Sequence, residues 1–128
     1  MEDGRILDSQ LTASTQYREG LSAVHARFND ISDSSWSSSF KDVYQWIQVD
    51  LGFTKMVSGI VLQGRNSVYM QCVTKYKVMY SDDANSWRWL KDSNGQNDMV
   101  RLMSMPFHCF CTLHYVVLHC IEMCSVFK

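Results

Sequence analysis

The chain has 128 residues, a length that suits one domain. Twelve basic and 13 acidic side chains leave a net charge of −1, so the charge balance gives no indication of a nucleic-acid partner. Only one proline and six glycines are present, which argues against low-complexity disorder. The opening residues contain no apolar run, so no signal peptide is predicted.

The first 45 residues are predicted to be mostly loop. Residues 5–15 have the pattern of a short edge segment. Within residues 16–45, Leu21, Val24 and Phe28 recur at the spacing of a short amphipathic helix, but no good N-cap precedes them. A helix and an irregular loop therefore both stay open for this stretch.

Three later segments have the apolar patterns of β-strands. Residues 46–51 and 73–80 alternate between inward and outward side chains, which predicts half-buried strands. Residues 56–63 form a more continuous apolar run, which predicts a strand buried on both faces. Gly59 inside this run predicts a bulge or a close approach of the backbone.

Turn residues separate these segments from a further strand. Residues 82–86 contain Asp and Asn, whose side chains can bond nearby backbone and tolerate a positive φ, so a turn is predicted there, and residues 92–95 form a second turn signal. The stretch between them, beginning at Trp87, is predicted to be another strand. Strands spaced by turns, without a sustained helical period, predict an all-β fold of antiparallel strands.

Several segments carry a recognisable pattern in chain order: Met1–Ile6, Asp8–Ser14, Ala26–Asn29, Trp46–Gly52, Thr54–Ile60, Gln63–Arg65, Tyr80–Asp83 and Trp87. In this order they resemble the discoidin family, also called the coagulation factor 5/8 type C domain family. The resemblance covers about residues 1–98. It implies a jelly-roll β-sandwich, or distorted barrel, in which loops at one end bind the ligand, and it implies a binding module instead of an enzyme.

The resemblance stops near Asp98, so the fold is predicted to be incomplete at its C-terminus. The family pattern continues with a strand and a closing strand that ends in cysteine. This chain instead has a divergent tail rich in cysteine and histidine, residues 99–128, in which residues 114–118 are a poor match for the missing strand. Loss of the last strands would leave backbone groups and apolar faces of their partners exposed.

The resemblance places the ligand-binding loops at residues 16–25, 30–42 and 66–71. The candidate binding residues are Leu21, Val24, Trp36, Phe40, Arg65, Val68, Tyr69 and Met70. Exposed apolar side chains at the loop tips, beside cations, would suit a protein, a glycan or an anionic phospholipid. The chain has no excess of basic residues, which favours a protein or a glycan over the phospholipid. For Trp36 and Phe40, packing back onto the sandwich is an equal alternative.

The charged and cysteine-rich clusters of the sequence are weaker candidates for a functional site than these loops. A charged pair of Arg65 with Asp50 would more often hold a loop than bind a ligand. The histidines and cysteines of the tail do not follow the spacing of a familiar zinc site, so neither a metal nor a cofactor is predicted. The five cysteines leave at least one thiol over, and their spacing reveals no disulfide framework.

No enzyme is predicted, because the sequence contains neither a phosphate-binding glycine loop nor a nucleophile elbow. Residues 110–127 are largely apolar, but His114, His119 and Glu122 argue against a membrane-spanning helix.

The resemblance implies an extracellular or cell-surface location. Two functions follow: a binding and adhesion module, or a non-functional fragment of a larger discoidin-domain protein.

Overall fold

The structure is a computed structural model. It describes residues 4–28, 34–65, 69–91, 95–96, 100–101 and 107–127, with the backbone alone described for residues 69–70, 100–101 and 107–127.

Six antiparallel strands form one sheet in the described part of the chain. They are β1 (Leu11–Ala13), β2 (Trp46–Ile60), β3 (Tyr69–Ser81), β4 (Arg88–Trp89), β5 (Val100–Arg101) and β6 (Phe107–Phe127). Their order is β1-β2-β6-β3-β4, with β5 also paired to β3, so the described strands leave the sheet open. The predicted class, all-β with antiparallel strands, is confirmed.

The last strand lies in the middle of this sheet. Residues 115–119 of β6 pair on one side with residues 46–50 of β2 and on the other side with residues 77–81 of β3. Residues 115–118 of the predicted stretch 114–118 thus occupy the place of an inner strand. Its two ladders satisfy backbone groups of β2 and β3 that would otherwise be unpaired. A boundary between the domain and the tail at residue 98 stays a prediction.

The alternation predicted for β2 and β3 is confirmed by two apolar clusters. The first consists of Ile6, Leu11, Ala23 and Ile47, packed against Ala13, Ala26, Trp36, Val49 and Leu51. The second consists of Tyr76 and Val78, packed against Leu51, Val57, Ile60, Leu62, Val73, Tyr80 and Leu90. Since Leu51 contacts both clusters, they form one continuous core.

The prediction that residues 56–63 are buried on both faces is wrong. Val57 and Ile60 pack against the second cluster, whereas Met56 is 72% exposed and Val61 is 63% exposed. Neighbouring side chains of a strand point to opposite faces, and here one face lies against the core while the other faces solvent. The predicted irregularity at Gly59 is confirmed by a register shift between β2 and β6.

The loop before β2 contains short turns in place of the amphipathic helix that the spacing allowed. Two 3-10 turns, Glu19–Leu21 and Ala23–His25, are separated by Ser22, whose φ of −80° and ψ of 171° are extended. The carbonyl of Leu21 accepts a hydrogen bond of 3.1 Å from the amide of Ser37, so a tertiary contact replaces the helical ladder at this point.

The predicted turn at residues 82–86 is confirmed, and the Asp83 carboxylate organises it. Its Oδ1 accepts hydrogen bonds from the amides of Ser86 at 2.7 Å and Asn85 at 2.8 Å and from the hydroxyl of Ser81 at 2.9 Å. These bonds, that of the Ser86 amide foremost, hold the pKa of Asp83 well below its ordinary value of 3.8. The positive φ of 58° falls on Ala84, not on an Asp or Asn.

The turn makes the stability of the domain depend on pH. The pKa of Asp83 is lower in the folded state, so its bonds stabilise the fold fully above the ordinary Asp pKa and lose this effect as the pH falls further. Asp83→Asn keeps an acceptor oxygen but cannot ionise. Urea unfolding at pH values from about 6 to 2 should show wild type losing more unfolding free energy than Asp83→Asn.

The matched control is Asp82→Asn, which changes the neighbouring exposed carboxylate. We expect this variant to follow the wild-type pH profile. Equal pH profiles for wild type and Asp83→Asn would contradict the role assigned to Asp83.

Candidate functional site

Two loops that precede β2 are fastened to each other and are called here the loop pair, residues 15–22 and 34–45. The amide of Tyr17 donates a 2.8 Å hydrogen bond to the carbonyl of Ser37, and the amide of Ser37 donates back to Leu21. Backbone bonds in both directions fix the two loops relative to each other, as in a short ladder.

The base of the loop pair is held by Gln45, which is 3% exposed. Its Oε1 accepts hydrogen bonds from the hydroxyls of Ser14 at 3.0 Å and Thr15 at 2.5 Å. Its Nε2 donates to Oδ1 of Asp42 at 2.7 Å, and Oδ1 of Asp42 also accepts from the amide of Tyr44. A buried amide that both accepts and donates hydrogen bonds thus joins both loops to the start of β2.

The loop pair carries four exposed apolar side chains, three of them aromatic, which are together called here the aromatic patch: Tyr17, Phe40, Val43 and Tyr44. Their exposed fractions are 67%, 59%, 48% and 73%. Two exposed charged residues come directly after Tyr17, namely Arg18 and Glu19, and two come directly after Phe40, namely Lys41 and Asp42. Each cation is next to an anion, so the loop pair presents apolar surface with little net charge.

The candidates from the first two predicted loops lie in different environments. Leu21 is 4% exposed and Val24 is half-buried, so neither forms an exposed tip. Trp36 packs against the first core cluster, and its Nε1–H donates a 2.9 Å hydrogen bond to the carbonyl of Thr15. Phe40 projects into solvent. Of the two aromatic candidates, Trp36 folds back and Phe40 does not.

The candidates of the third loop are only partly described. Arg65 is half-buried, and its amide donates a 2.8 Å hydrogen bond to the carbonyl of Gln71, which closes the loop between them. Val68 and the side chains of Tyr69 and Met70 lie outside the described residues. Ligand contact by any of these residues stays a prediction.

Asp50 shapes the backbone of β2. Its Oδ1 accepts a 2.7 Å hydrogen bond from the amide of Gly52, whose φ is +78°. Its carbonyl accepts a 2.8 Å bond from the side chain of Gln10. Here β2 loses its regular register with β6, between Asp50 and Lys55. These contacts give Asp50 a structural role in forming the irregularity.

Three members of the aromatic patch were not identified from the sequence: Tyr17, Val43 and Tyr44. In the sequence, each of these residues is only an apolar residue near a charged one, in a segment without a regular apolar period. This pattern does not distinguish an exposed loop side chain from a buried one.

The described residues contain no helix with the length and apolar character that a membrane span requires. The side chains of the tail histidines and cysteines lie outside the description.

The sequence profile of the F5/8 type C domain matches residues 10–120. The chain therefore belongs to the F5/8 type C, or discoidin, domain family. The match continues beyond residue 98 and includes most of β6.

Relatives in animals agree with this assignment. Lactadherin of Sus scrofa is 39% identical over 100 residues, which cover 72% of this chain and 24% of lactadherin. Retinoschisin of Homo sapiens is 29% identical over 154 residues, which cover 97% of this chain and 68% of retinoschisin. The chain thus spans about a quarter of the lactadherin it matches. The retinoschisin match is longer than this chain, so parts of it have no counterpart here.

Solved structures with the same fold include discoidin II of Dictyostelium discoideum, with a TM-score of 0.72 and 24% identity over 88% of this chain and 49% of that chain. The family 32 CBM of C. perfringens NanJ, solved in complex with galactose, has a TM-score of 0.60 and 21% identity. It covers 94% of this chain and 91% of that chain. The predicted discoidin-like jelly-roll fold is confirmed.

Proposed function

We propose that the chain is a non-catalytic binding and adhesion module, acting outside the cell, that recognises a protein or glycan through its loop pair. The observation that carries the proposal is the aromatic patch. Aromatic residues are enriched at the centres of protein binding surfaces, where Tyr and Trp are frequent anchors. The family assignment and the family resemblance support a binding role and an extracellular or cell-surface location.

The loop pair suits binding because its frame is already ordered. Gln45 and the ladder between Tyr17 and Ser37 hold the loops in place, so little conformational entropy is lost when a ligand binds. A ring exposed like that of Phe40 offers on the order of 100 Å² of apolar surface, and its burial contributes about 2 kcal/mol.

The charges of the loop pair favour a protein or glycan over an anionic membrane. Attraction to anionic lipid requires an excess of cations near the surface. Here Arg18 is next to Glu19, Lys41 is next to Asp42, and the whole chain has a net charge of −1. The fold also accommodates a sugar ligand, since the family 32 CBM of NanJ with this fold is in complex with galactose.

A non-functional fragment is the competing proposal. It is supported by the match to retinoschisin, which spans 154 residues against 128 in this chain. A fragment of this kind would unfold without cooperativity and would bind no ligand. Cooperative unfolding together with specific binding excludes it.

Phe40→Ala is expected to weaken binding to the protein or glycan ligand roughly tenfold or more, because the ring loses its buried area in the complex. The measurement is binding of the whole chain to immobilised glycans and extracellular matrix proteins, with phosphatidylserine vesicles as a separate arm. Binding to vesicles alone would show that the ligand is lipid.

Phe53→Ala is the matched control. Phe53 is 65% exposed, similar to Phe40 at 59%, but it lies at the irregularity halfway along β2. We expect Phe53→Ala to bind like wild type. Equal losses in both variants would mean that general apolar adhesion, not the loop pair, accounts for binding.

A further inference from the structure

Two of the five cysteines occupy directly opposed positions on neighbouring strands. Cys72 of β3 is the Cα partner of Cys124 of β6. The other cysteines with a partner in these ladders face different residue types, since Cys111 pairs with Val57 and Cys120 with Tyr76. The register therefore selects one pair of cysteines, although their spacing in the sequence selected none.

The backbone geometry of an antiparallel pair suits a disulfide. Opposed residues have Cα atoms about 4.5 to 5.5 Å apart, and a disulfide requires about 4.4 to 6.8 Å. We propose that Cys72 and Cys124 form a cross-strand disulfide that joins β3 to β6. The cross-link requires no rearrangement of the register.

The surroundings of Cys72 are compatible with this bond. Cys72 is half-buried, so small thiols and disulfides can reach it. Gly64 lies against it so closely that a Cβ at position 64 would meet the Cβ of Cys72 at 3.1 Å. Gly64 therefore approaches Cys72 more closely than a residue with a side chain ordinarily could.

The oxidant is a disulfide of a thiol–disulfide oxidoreductase or of oxidised glutathione. One cysteine thiolate attacks this disulfide, forms a mixed disulfide and releases the first thiol. The thiolate of the second cysteine attacks the mixed disulfide, forms the Cys72–Cys124 bond and releases the second thiol. Two protein thiols are oxidised, one external disulfide is reduced to two thiols, and the two protons remain with the released thiols.

The cross-link joins β3 to β6, the strand that the tail supplies to the middle of the sheet. It fastens the C-terminal part of β6 to the strand that follows the loop closed by Arg65 and Gln71. About 50 residues separate the two cysteines, so the bond removes much freedom from the unfolded chain. Oxidation is expected in an extracellular setting and reduction in the cytosol.

Peptide mapping tests the pairing in the whole chain. The protein is equilibrated in a glutathione redox buffer, remaining thiols are alkylated, and trypsin and a Glu-specific protease cut the chain. Cys72 falls in peptide 66–75, Cys124 in peptide 123–128, and the other three cysteines in peptide 102–122. We expect a linked pair of 66–75 with 123–128 that disappears on reduction. Alkylated Cys72, or its linkage to 102–122, overturns the proposal.

Stability provides a second readout that does not depend on any ligand. Oxidised wild type is expected to unfold at a urea concentration about 1 M higher than the reduced protein. Cys120→Ser should keep this difference, because Cys120 faces Tyr76, whereas Cys124→Ser should lose it. A difference that persists in Cys124→Ser overturns the pairing. Should either variant fail to fold, the peptide map of wild type decides.

Discussion

Replacing Val117 with proline is expected to lower the free energy of unfolding by about 3 kcal/mol or more, because proline lacks the amide hydrogen and clashes within a paired strand. Val117 pairs with Gln48 of β2 and Met79 of β3, so one ladder loses a bond whichever way its amide points. A loss of this size is a large part of the total stability of a small domain, about 5–15 kcal/mol. Urea unfolding followed by circular dichroism measures it.

Leu7→Pro is the matched control for this substitution. Leu7 is 62% exposed, and its φ of −72° suits proline. Only the exposed bond from its amide to the side chain of Gln10 is lost, a cost of about 1 kcal/mol. If Val117→Pro is no more destabilising than Leu7→Pro, β6 does not lie between β2 and β3.

Tyr76→Ala is expected to cost about 3 to 5 kcal/mol, the range for removing a large aromatic side chain from a core. Tyr76 is 3% exposed and belongs to the second core cluster with Val78. The truncation leaves a cavity bordered by side chains of both β2 and β3. The free energy of unfolding in urea is the quantity to measure.

Tyr44→Ala removes the same side chain from a position that is 73% exposed, and it should change stability by no more than about 0.5 kcal/mol. The hydrogen bond from the Tyr44 amide to Asp42 is retained, because it belongs to the backbone. Similar costs for the two tyrosines would show that the second core cluster is not formed.

The local strand pattern was readable from the sequence where one face of a strand is buried. Ile47 and Val49 alternate with polar residues, and so do Tyr76 and Val78, because successive side chains of a strand face opposite ways. The apolar run of residues 56–63 predicts burial on both faces, and this prediction is wrong. Continuous apolar character does not show that one face is exposed, as the solvent-facing Met56 demonstrates.

The position of β6 was not readable, because it depends on pairing over a long sequence distance. The sequence pattern predicts a poor match of residues 114–118 to the family strand, yet the family profile includes these residues, and β6 pairs there with two strands whose sequences are clear. Register between distant segments is set by the packing of the whole sheet, and periodicity within one segment does not contain it.

For the candidate site, the family resemblance located the loops but not the orientation of their side chains. Trp36 and Phe40 are both aromatic residues among serines. Trp36 turns inward because its indole N–H reaches the carbonyl of Thr15, and Phe40 has no polar group with which to do so. Such a contact joins residues 21 positions apart and has no local sequence signal.

Hydrogen exchange of the backbone amides tests most directly whether residues 107–127 supply the inner strand of the sheet. Amides of residues 115–119 are enclosed by ladders on both sides, so we predict that they exchange as slowly as those of Ile47 and Val78, near the rate set by global unfolding. Fast exchange of residues 115–119 together with slow exchange at Ile47 and Val78 would contradict it.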